Sequence, residues 1–308
     1  MLLQRLFLHH PAFTKTEMNK HKSLDNNHKK IATGNYTTLK ILKRYKETNA
    51  IKYIFGLPDG NLIETVCIKR KTGVTLCAST QVGCAVQCIF CASGKRGLIR
   101  NLTSWEIVQQ FLLVKEPVNR IVFMGIGEPL HNYSQLMEAI HILRERDGLN
   151  FPTDGITIST VAPLRKMKKL REEHIKVQLT VSLHATNQAT RDELMPNMSN
   201  CDIKEIVRSI ISYSERHNRK VTVAYLLLSG INDSNADVNQ LVKWFSEKNV
   251  RINLLPYNQT TSRLKGVPKS RMAEFKKMLE NAGMEVTIRE SQGKRIQAAC
   301  GQLASKNF

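Results

Sequence analysis

Three cysteines fall within eight residues, in the run Gly83-Cys84-Ala-Val-Gln-Cys88-Ile-Phe-Cys91. The chain has seven cysteines, an odd number, and its opening Met1 to Leu8 is interrupted by Gln4 and Arg5 and reads poorly as a secretory signal. Metal or redox use therefore fits better than a disulfide framework. A structural zinc site needs four ligands, usually at two Cys-x-x-Cys-like corners, and no second corner exists. An iron-sulfur cube normally takes four thiolates as well. With three, one iron stays open to chelate the amino and carboxylate groups of a small molecule, which turns an electron-transfer centre into a reaction centre. By residue type alone, Cys77 and Cys300 read as buried core cysteines and Glu64 as an exposed strand glutamate. His184 reads equally as a core histidine or a ligand contact, and Cys67 and Cys201 as structural.

These residues need a frame, and after Cys77 strand-like apolar runs alternate with helix-like segments. The strands are expected at Asn119 to Met124, Ile156 to Thr160, Val177 to Leu183, Val221 to Leu227, Arg251 to Leu255 and Glu285 to Ile288. Their near-continuous β-branched content suits parallel strands buried on both faces. Helices are expected at Ser104 to Lys115, Ser134 to Arg146, Ile203 to His217, Ser234 to Glu247 and Lys269 to Asn281. Thr103 with Glu106 and Asp202 with Glu205 have capping-box spacing, and Pro268 stands before a helical pattern. The fold class is α/β, and about six βα units suit an open barrel. Its reactive loops would follow strand C-termini, where Gly125 to Pro129, Ser159, His184 and Asn258 all fall. Gly125-Ile-Gly127 lacks a third glycine at dinucleotide-binding spacing. Upstream, Ile51 to Phe55, Leu62 to Ile68 and Gly73 to Cys77 read as a small antiparallel meander, residues 51–76 leading into a core at 77–308. Tyr36 to Tyr45 reads as one helix within a basic arm, residues 1–50.

Composition supplies the partner. The 308 residues carry 46 Lys and Arg against 26 Asp and Glu, a net charge of +20, and the first 50 residues hold ten of the cations against three acids. Charge spread this widely favours a polyanion, with nucleic acid first and a merely solvated basic surface as the plainer reading. No apolar run approaches the roughly 18 to 20 residues of a membrane helix. A cytoplasmic protein is expected.

The Cys-x3-Cys-x2-Cys spacing is that of radical S-adenosylmethionine enzymes. Thr75-Leu-Cys77-Ala-Ser-Thr-Gln-Val-Gly-Cys84, Met124-Gly-Ile-Gly-Glu128-Pro129, Ser182-Leu-His184 and Ala298-Ala-Cys300-Gly-Gln-Leu303 together resemble the RlmN/Cfr family of radical RNA adenine methyltransferases, over about residues 51–304. The resemblance implies a partial (β/α)6 barrel, with Cys84, Cys88 and Cys91 holding a [4Fe-4S] cluster. It implies S-adenosylmethionine contacts at Gly127, Glu128, Ser159, Ser182, Leu183, His184 and Asn258. Cys300 becomes the methyl carrier, Glu64 the base and Cys77 the resolving cysteine. In the implied reaction Cys300 takes a methyl group from one S-adenosylmethionine, and a 5′-deoxyadenosyl radical from a second activates it for addition to adenine. Glu64 then removes a proton, and Cys77 attacks the Cys300 sulfur to release methyl-adenosine, leaving a transient disulfide.

The implied partners are rRNA or tRNA and an electron donor such as flavodoxin or ferredoxin, with the enzyme acting as a monomer. Pro129 resembles the RlmN branch but does not by itself select the position; carbon 2 of adenine is slightly favoured and carbon 8 stays open. Two departures bear on substrate placement: Gly293-Lys-Arg295-Ile296 has a base where the family usually has Asp, and only 63 residues precede Glu64, which implies a reduced or different recognition domain. Two rival readings are a non-catalytic iron-sulfur protein that binds RNA or senses redox state, and a radical enzyme acting on another substrate. Binding alone needs none of Cys77, Cys300 and Glu64.

Overall fold

The computed structural model describes residues 39–304. A single sheet of ten strands runs through it, and its strand order explains how the two halves read from the sequence are joined. Strands β1 (Lys40–Lys46), β2 (Ala50–Gly56), β3 (Leu62–Arg70) and β4 (Gly73–Cys77) form an antiparallel meander. Strand β4 then pairs in parallel with β7 (Val118–Phe123). Beyond β7, parallel pairing continues through β8 (Ile156–Thr160), β9 (Gln178–Ser182), β10 (Val221–Leu227), β11 (Val250–Pro256) and β12 (Glu285–Ile288). The meander is thus continuous with the barrel, and β4 belongs to both. Because β1 and β12 end the strand order, the barrel is partial and open on one side.

Helices cover the outer face: α1 (Ser104–Leu113), α2 (Tyr133–Arg144), α3 (Leu164–Glu172), α4 (Gln188–Leu194), α5 (Ile203–His217), α6 (Asn235–Phe245) and α7 (Lys269–Asn281). Their starts follow side-chain chemistry. Thr103 and Glu106 form the expected reciprocal capping box at α1. Asp202 caps α5 by accepting from Lys204 N and Glu205 N, while Glu205 pairs with Arg208 instead of reaching back. Helices α3 and α4 are additional to those expected, α3 carrying only Met167 and Leu170 as buried residues and α4 only Arg191 and Leu194. With so few core residues each, neither leaves a strong helical period in the sequence. Among the described residues no helix is long and apolar enough to cross a membrane.

The helix expected over Tyr36 to Tyr45 is overturned: from Lys40 the chain is strand β1, and the rest of the arm, residues 1–38, lies outside the described residues. Tertiary pairing overrides local propensity here, because the edge of β2 supplies a full antiparallel register from Lys40–Gly56 to Lys46–Ile51. A buried carboxylate pins the pair. Glu116 accepts from Tyr53 Oη at 2.6 Å and from Arg44 Nη2 at 2.7 Å, joining β1 and β2 to the segment after α1. Burial pushes the Glu116 carboxyl up, but these hydrogen bonds outweigh it and hold the group below its ordinary value. Tyr53→Phe would strand a buried acceptor, and urea unfolding at neutral pH should show a loss of about 1–3 kcal/mol. Because this carboxyl's pKa is depressed on folding, its contribution is present above the ordinary carboxylate range and lost as pH falls through the folded value, so the deficit should shrink in acid.

Candidate active site

A cavity of about 180 Å³ opens at the C-terminal ends of the parallel strands. The loop after β4 enters it through a short hairpin of β5 (Gln81–Gly83) and β6 (Leu98–Asn101), which the sequence reading did not resolve. Cys84 N donates to Gly97 O at 2.9 Å and closes the hairpin neck. The neck requires glycine: Gly83 has φ +75°, and a Cβ there would lie 2.0 Å from Gly97 O. Within the loop, Cys84, Cys88 and Cys91 all line the cavity.

Burial raises all three thiols, Cys84 to about 12 and Cys88 well above the ordinary value. Backbone N–H groups of Val86 and Gln87 oppose this at Cys84, and those of Ser93 and Gly94 oppose it at Cys91. Donors aimed at sulfur stabilise a thiolate, as at cluster ligands. Among the described residues no three His, Cys, Asp or Glu side chains close round a single ion. Three thiols from one loop lining one cavity suit a polynuclear cluster, whose corners take one thiolate each.

The remaining walls come from strand ends. Gly127, Glu128, Ser159, Ser182, His184 and Asn258 line the cavity, as expected, whereas Leu183 does not. Leu183 is fully buried, and its backbone is used instead, N donating to Ala224 O at 3.1 Å. Gly127 has φ +106°, and a Cβ there would lie 2.6 Å from the Gln81 side chain, so glycine lets this loop rest on the hairpin. The Glu128 carboxylate accepts from Leu130 N, Thr160 Oγ1 and Val161 N at 2.5–2.9 Å. Its oxygens are largely committed to the ends of β7 and β8. His184 takes φ +56° and accepts from Leu226 N through Nδ1 at 3.0 Å. Burial, aided by the Arg191 charge, drops its pKa to about 3, so the ring is neutral with its proton on Nε2. Nδ1 is thus satisfied as in a core histidine, and His184 also lines the cavity. Asn258 donates to Cys300 O at 3.1 Å, while its Oδ1 is buried with no hydrogen-bond partner. That orphan acceptor suits a bound molecule carrying a donor.

The segment after β12 brings the last groups. It crosses the open side, held by Ala92 N donating to Gly301 O at 2.7 Å and Ser93 Oγ to Leu303 O at 2.6 Å. Cys300 and Cys77 both face the cavity, each as a free thiol. Burial pushes Cys77 up to about 12, the adjacent Cys300 adds to this, and Arg289 opposes it. Glu64 does not line the cavity, and it is only 2% exposed, which overturns the exposed-strand reading. It shares a face of β3 with Val66, whose partner across the sheet is Cys77. One Glu64 oxygen lies 3.7 Å from Lys52 Nζ, and the other accepts from Ala304 N at 3.2 Å.

Sequence reasoning missed Lys52 and Arg191. A lysine inside the apolar strand Ala50-Ile-Lys52-Tyr-Ile-Phe55 is itself a signal, since a buried cation needs a partner. Nothing in the run Asn187-Gln-Ala-Thr-Arg191 marks the arginine as buried.

Residues 78–244 match the Radical SAM superfamily. The chain is 49% identical over 267 residues to a probable RNA methyltransferase of Rhodopseudomonas palustris, covering 86% of this chain and 74% of that protein. It is 40% identical over 261 residues to a probable dual-specificity RNA methyltransferase RlmN of Pseudothermotoga lettingae, covering 83% and 76%. The crystal structure of a radical SAM methyltransferase from Sphaerobacter thermophilus superposes with a TM-score of 0.88 at 32% identity, covering 98% of this chain and 92% of the other.

Two outcomes test the site. Replacing any of Cys84, Cys88 or Cys91 by Ala should remove the visible absorbance and EPR signal of anaerobically reconstituted protein, and a full cluster in all three variants would contradict the ligand set. Burial raises Glu128 to about 7 despite its hydrogen bonds. An acid raised on folding stabilises less as pH climbs from the ordinary carboxylate value to the folded one. Ligand-free protein should therefore lose stability between about pH 4.5 and 7, and Glu128→Gln should flatten that slope in melts taken across the window.

Proposed function

The chain belongs to the radical SAM superfamily and, within it, to the RNA methyltransferases of the RlmN type, and from that membership we propose that it methylates an sp2 carbon of adenosine in rRNA or tRNA. Carbon 2 is favoured over carbon 8. The observation that carries the reading is that Cys77 and Cys300, 223 positions apart in the numbering, face one cavity with the three cysteines of the triplet. A cluster that only stored electrons or sensed oxidants would not need a second pair of thiols beside it.

In this reading Cys84, Cys88 and Cys91 hold the [4Fe-4S] cluster, and Gly127, Glu128, Ser159, Ser182, His184 and Asn258 form the S-adenosylmethionine site, with Leu183 buried behind its wall. When bound, these cofactors supply the methyl group and one-electron chemistry. The protein's own residues do the rest. Cys300 carries the methyl carbon, through which adenine becomes covalently linked to the enzyme. Asn258 fixes the carbonyl of Cys300 and so aims its sulfur. Glu64, beside the same segment, accepts the proton from the substituted ring carbon. The Cys77 sulfur then attacks the Cys300 sulfur; as the disulfide forms, the carbon–sulfur bond breaks, its electron pair stays with the methylene carbon, that carbon takes up the proton given up by Cys77, and methyl-adenosine leaves. Burial keeps Cys77 protonated beforehand, which guards against an early disulfide. Two electrons from a donor such as flavodoxin or ferredoxin restore the thiols.

RNA approaches a surface whose parent chain carries a net charge of +20. Since a stacked base cannot reach a buried sulfur, the target adenosine is unpaired or flipped. The enzyme works as a cytoplasmic monomer. The two thiols should fail differently when removed. Cys300→Ala should yield neither a methylated protein nor an RNA crosslink, whereas Cys77→Ala should accumulate an RNA adduct on Cys300, read by mass spectrometry of the trapped peptide. Normal yields of methyl-adenosine from Cys77→Ala, with no adduct, would refute the mechanism.

A further inference from the structure

Arg191, on α4, is 0% exposed and heads the fully buried side chains by volume. Its guanidinium donates through Nη1 to Leu183 O at 2.6 Å and Ser182 O at 3.2 Å, and through Nη2 to Val161 O at 2.7 Å. These are the carbonyls at the ends of β8 and β9, directly behind the cavity wall. Its Nε is buried with no acceptor. Among the described residues no carboxylate forms an ion pair with it; Cys88, Cys201, Asp192 and Glu128 stand within electrostatic reach, and Ile89 N, next to Cys88, donates to Leu194 O at 3.1 Å on the same helix.

A guanidinium cannot shed its proton, and burying one beside neutral groups is costly unless an anion shares the site. The three carbonyl dipoles offset part of that cost and supply no net charge. Asp192 and Glu128 act on it from beyond ion-pair distance, and the thiolates of a bound cluster, Cys88 first, would add negative charge at the site. A [4Fe-4S]2+ core with three thiolates has a net charge of −1, and one more electron takes it to −2. A cation fixed nearby in a medium that excludes water favours the more negative state.

We propose that Arg191 is the built-in countercharge of the iron-sulfur cluster, raising its reduction potential while holding the ends of β8 and β9 against the S-adenosylmethionine site. It is a positioning residue, acting through the ligand Cys88 and the backbone it binds. The inference rests on the cluster being held by Cys84, Cys88 and Cys91. A full cluster in all three Cys→Ala variants defeats that reading, whereas the outcomes below, measured on protein whose cluster is established, decide this one.

Two substitutions separate charge from shape. Arg191→Gln keeps hydrogen-bond donors and removes the charge, and Arg191→Lys keeps the charge and removes the fork. Iron and sulfide content gives occupancy, and an EPR-monitored redox titration gives the midpoint potential. In Arg191→Gln the ratio of reduced to oxidised cluster at a fixed potential should fall about tenfold, a drop of ~59 mV for one electron, while Arg191→Lys stays near the parent value. A full cluster at the parent potential in Arg191→Gln overturns the proposal, as does a drop in Arg191→Lys as large as that in Arg191→Gln. If Arg191→Gln assembles no cluster, Arg191→Lys decides. Occupancy at the parent potential supports the countercharge. Loss of the cluster or of the fold in both variants overturns it, since the site would then need the fork and not the charge.

Discussion

The open side of the sheet is the constraint on which the site depends. Strands β1 and β12 do not pair, so a gap separates the edges of the partial barrel. The segment after β12 crosses toward the meander and is tied at each stage: Arg289 N to Leu254 O, Gln297 O to Lys52, Gly301 O to Ala92 N, and Ala304 N to Glu64. A small apolar cluster of Ala50, Val66, Ile68, Cys77, Ile126, Ala298 and Leu303 seats it. The segment that closes the cavity is therefore also the one that carries Cys300. Closure and chemistry depend on the same contacts.

Around the mouth, buried polar groups satisfy one another in a chain. Arg191 holds the carbonyls of β8 and β9, and Glu128 holds Thr160 and Val161. Asn232 donates to the carbonyls of His184 and Leu226, and Leu226 N donates to the His184 ring. Strand C-termini end in carbonyls that have left the sheet ladder, and buried carbonyls require donors. Side chains supply those donors, which gives each group in the wall a fixed direction. Three of the seven described non-glycine residues with left-handed φ, Gln87, Ala162 and His184, lie at the same place. Their strain is held by this network, which fits a site whose loops are over-determined by their neighbours.

Electrostatics then follow from burial. Burial lifts the thiols and Glu128 and depresses His184, while Arg289 and Glu290 carry charge at the cavity wall and Arg191 stands behind it. Charge enters with iron and cofactor, because metal binding displaces thiol protons. Thiols held protonated by burial are slow to oxidise until their ligands arrive.

How much of this could be read from the sequence varies with the kind of interaction. Strands β8, β10 and β12 and helices α5 and α7 fall on the expected residues, because their periodicity and caps are local. The cysteine triplet is equally legible, since bringing three thiols to one cavity wall from one loop depends on spacing within that loop. Local signals failed where the deciding contact is distant. Tyr36 to Tyr45 carries a helix-like pattern, yet Lys40 onward is strand because the edge of β2 and the carboxylate of Glu116 lie elsewhere in the chain. Glu64 reads as a surface residue until Lys52 and Ala304 enclose it. Arg191 is one arginine in a polar run, and only the fold buries it against three carbonyls. The sequence by itself determined which groups exist and the local elements that bear them. Which of those groups meet, and which are stripped of water, was decided by tertiary structure, because burial belongs to the surroundings of a residue and not to its place in the chain.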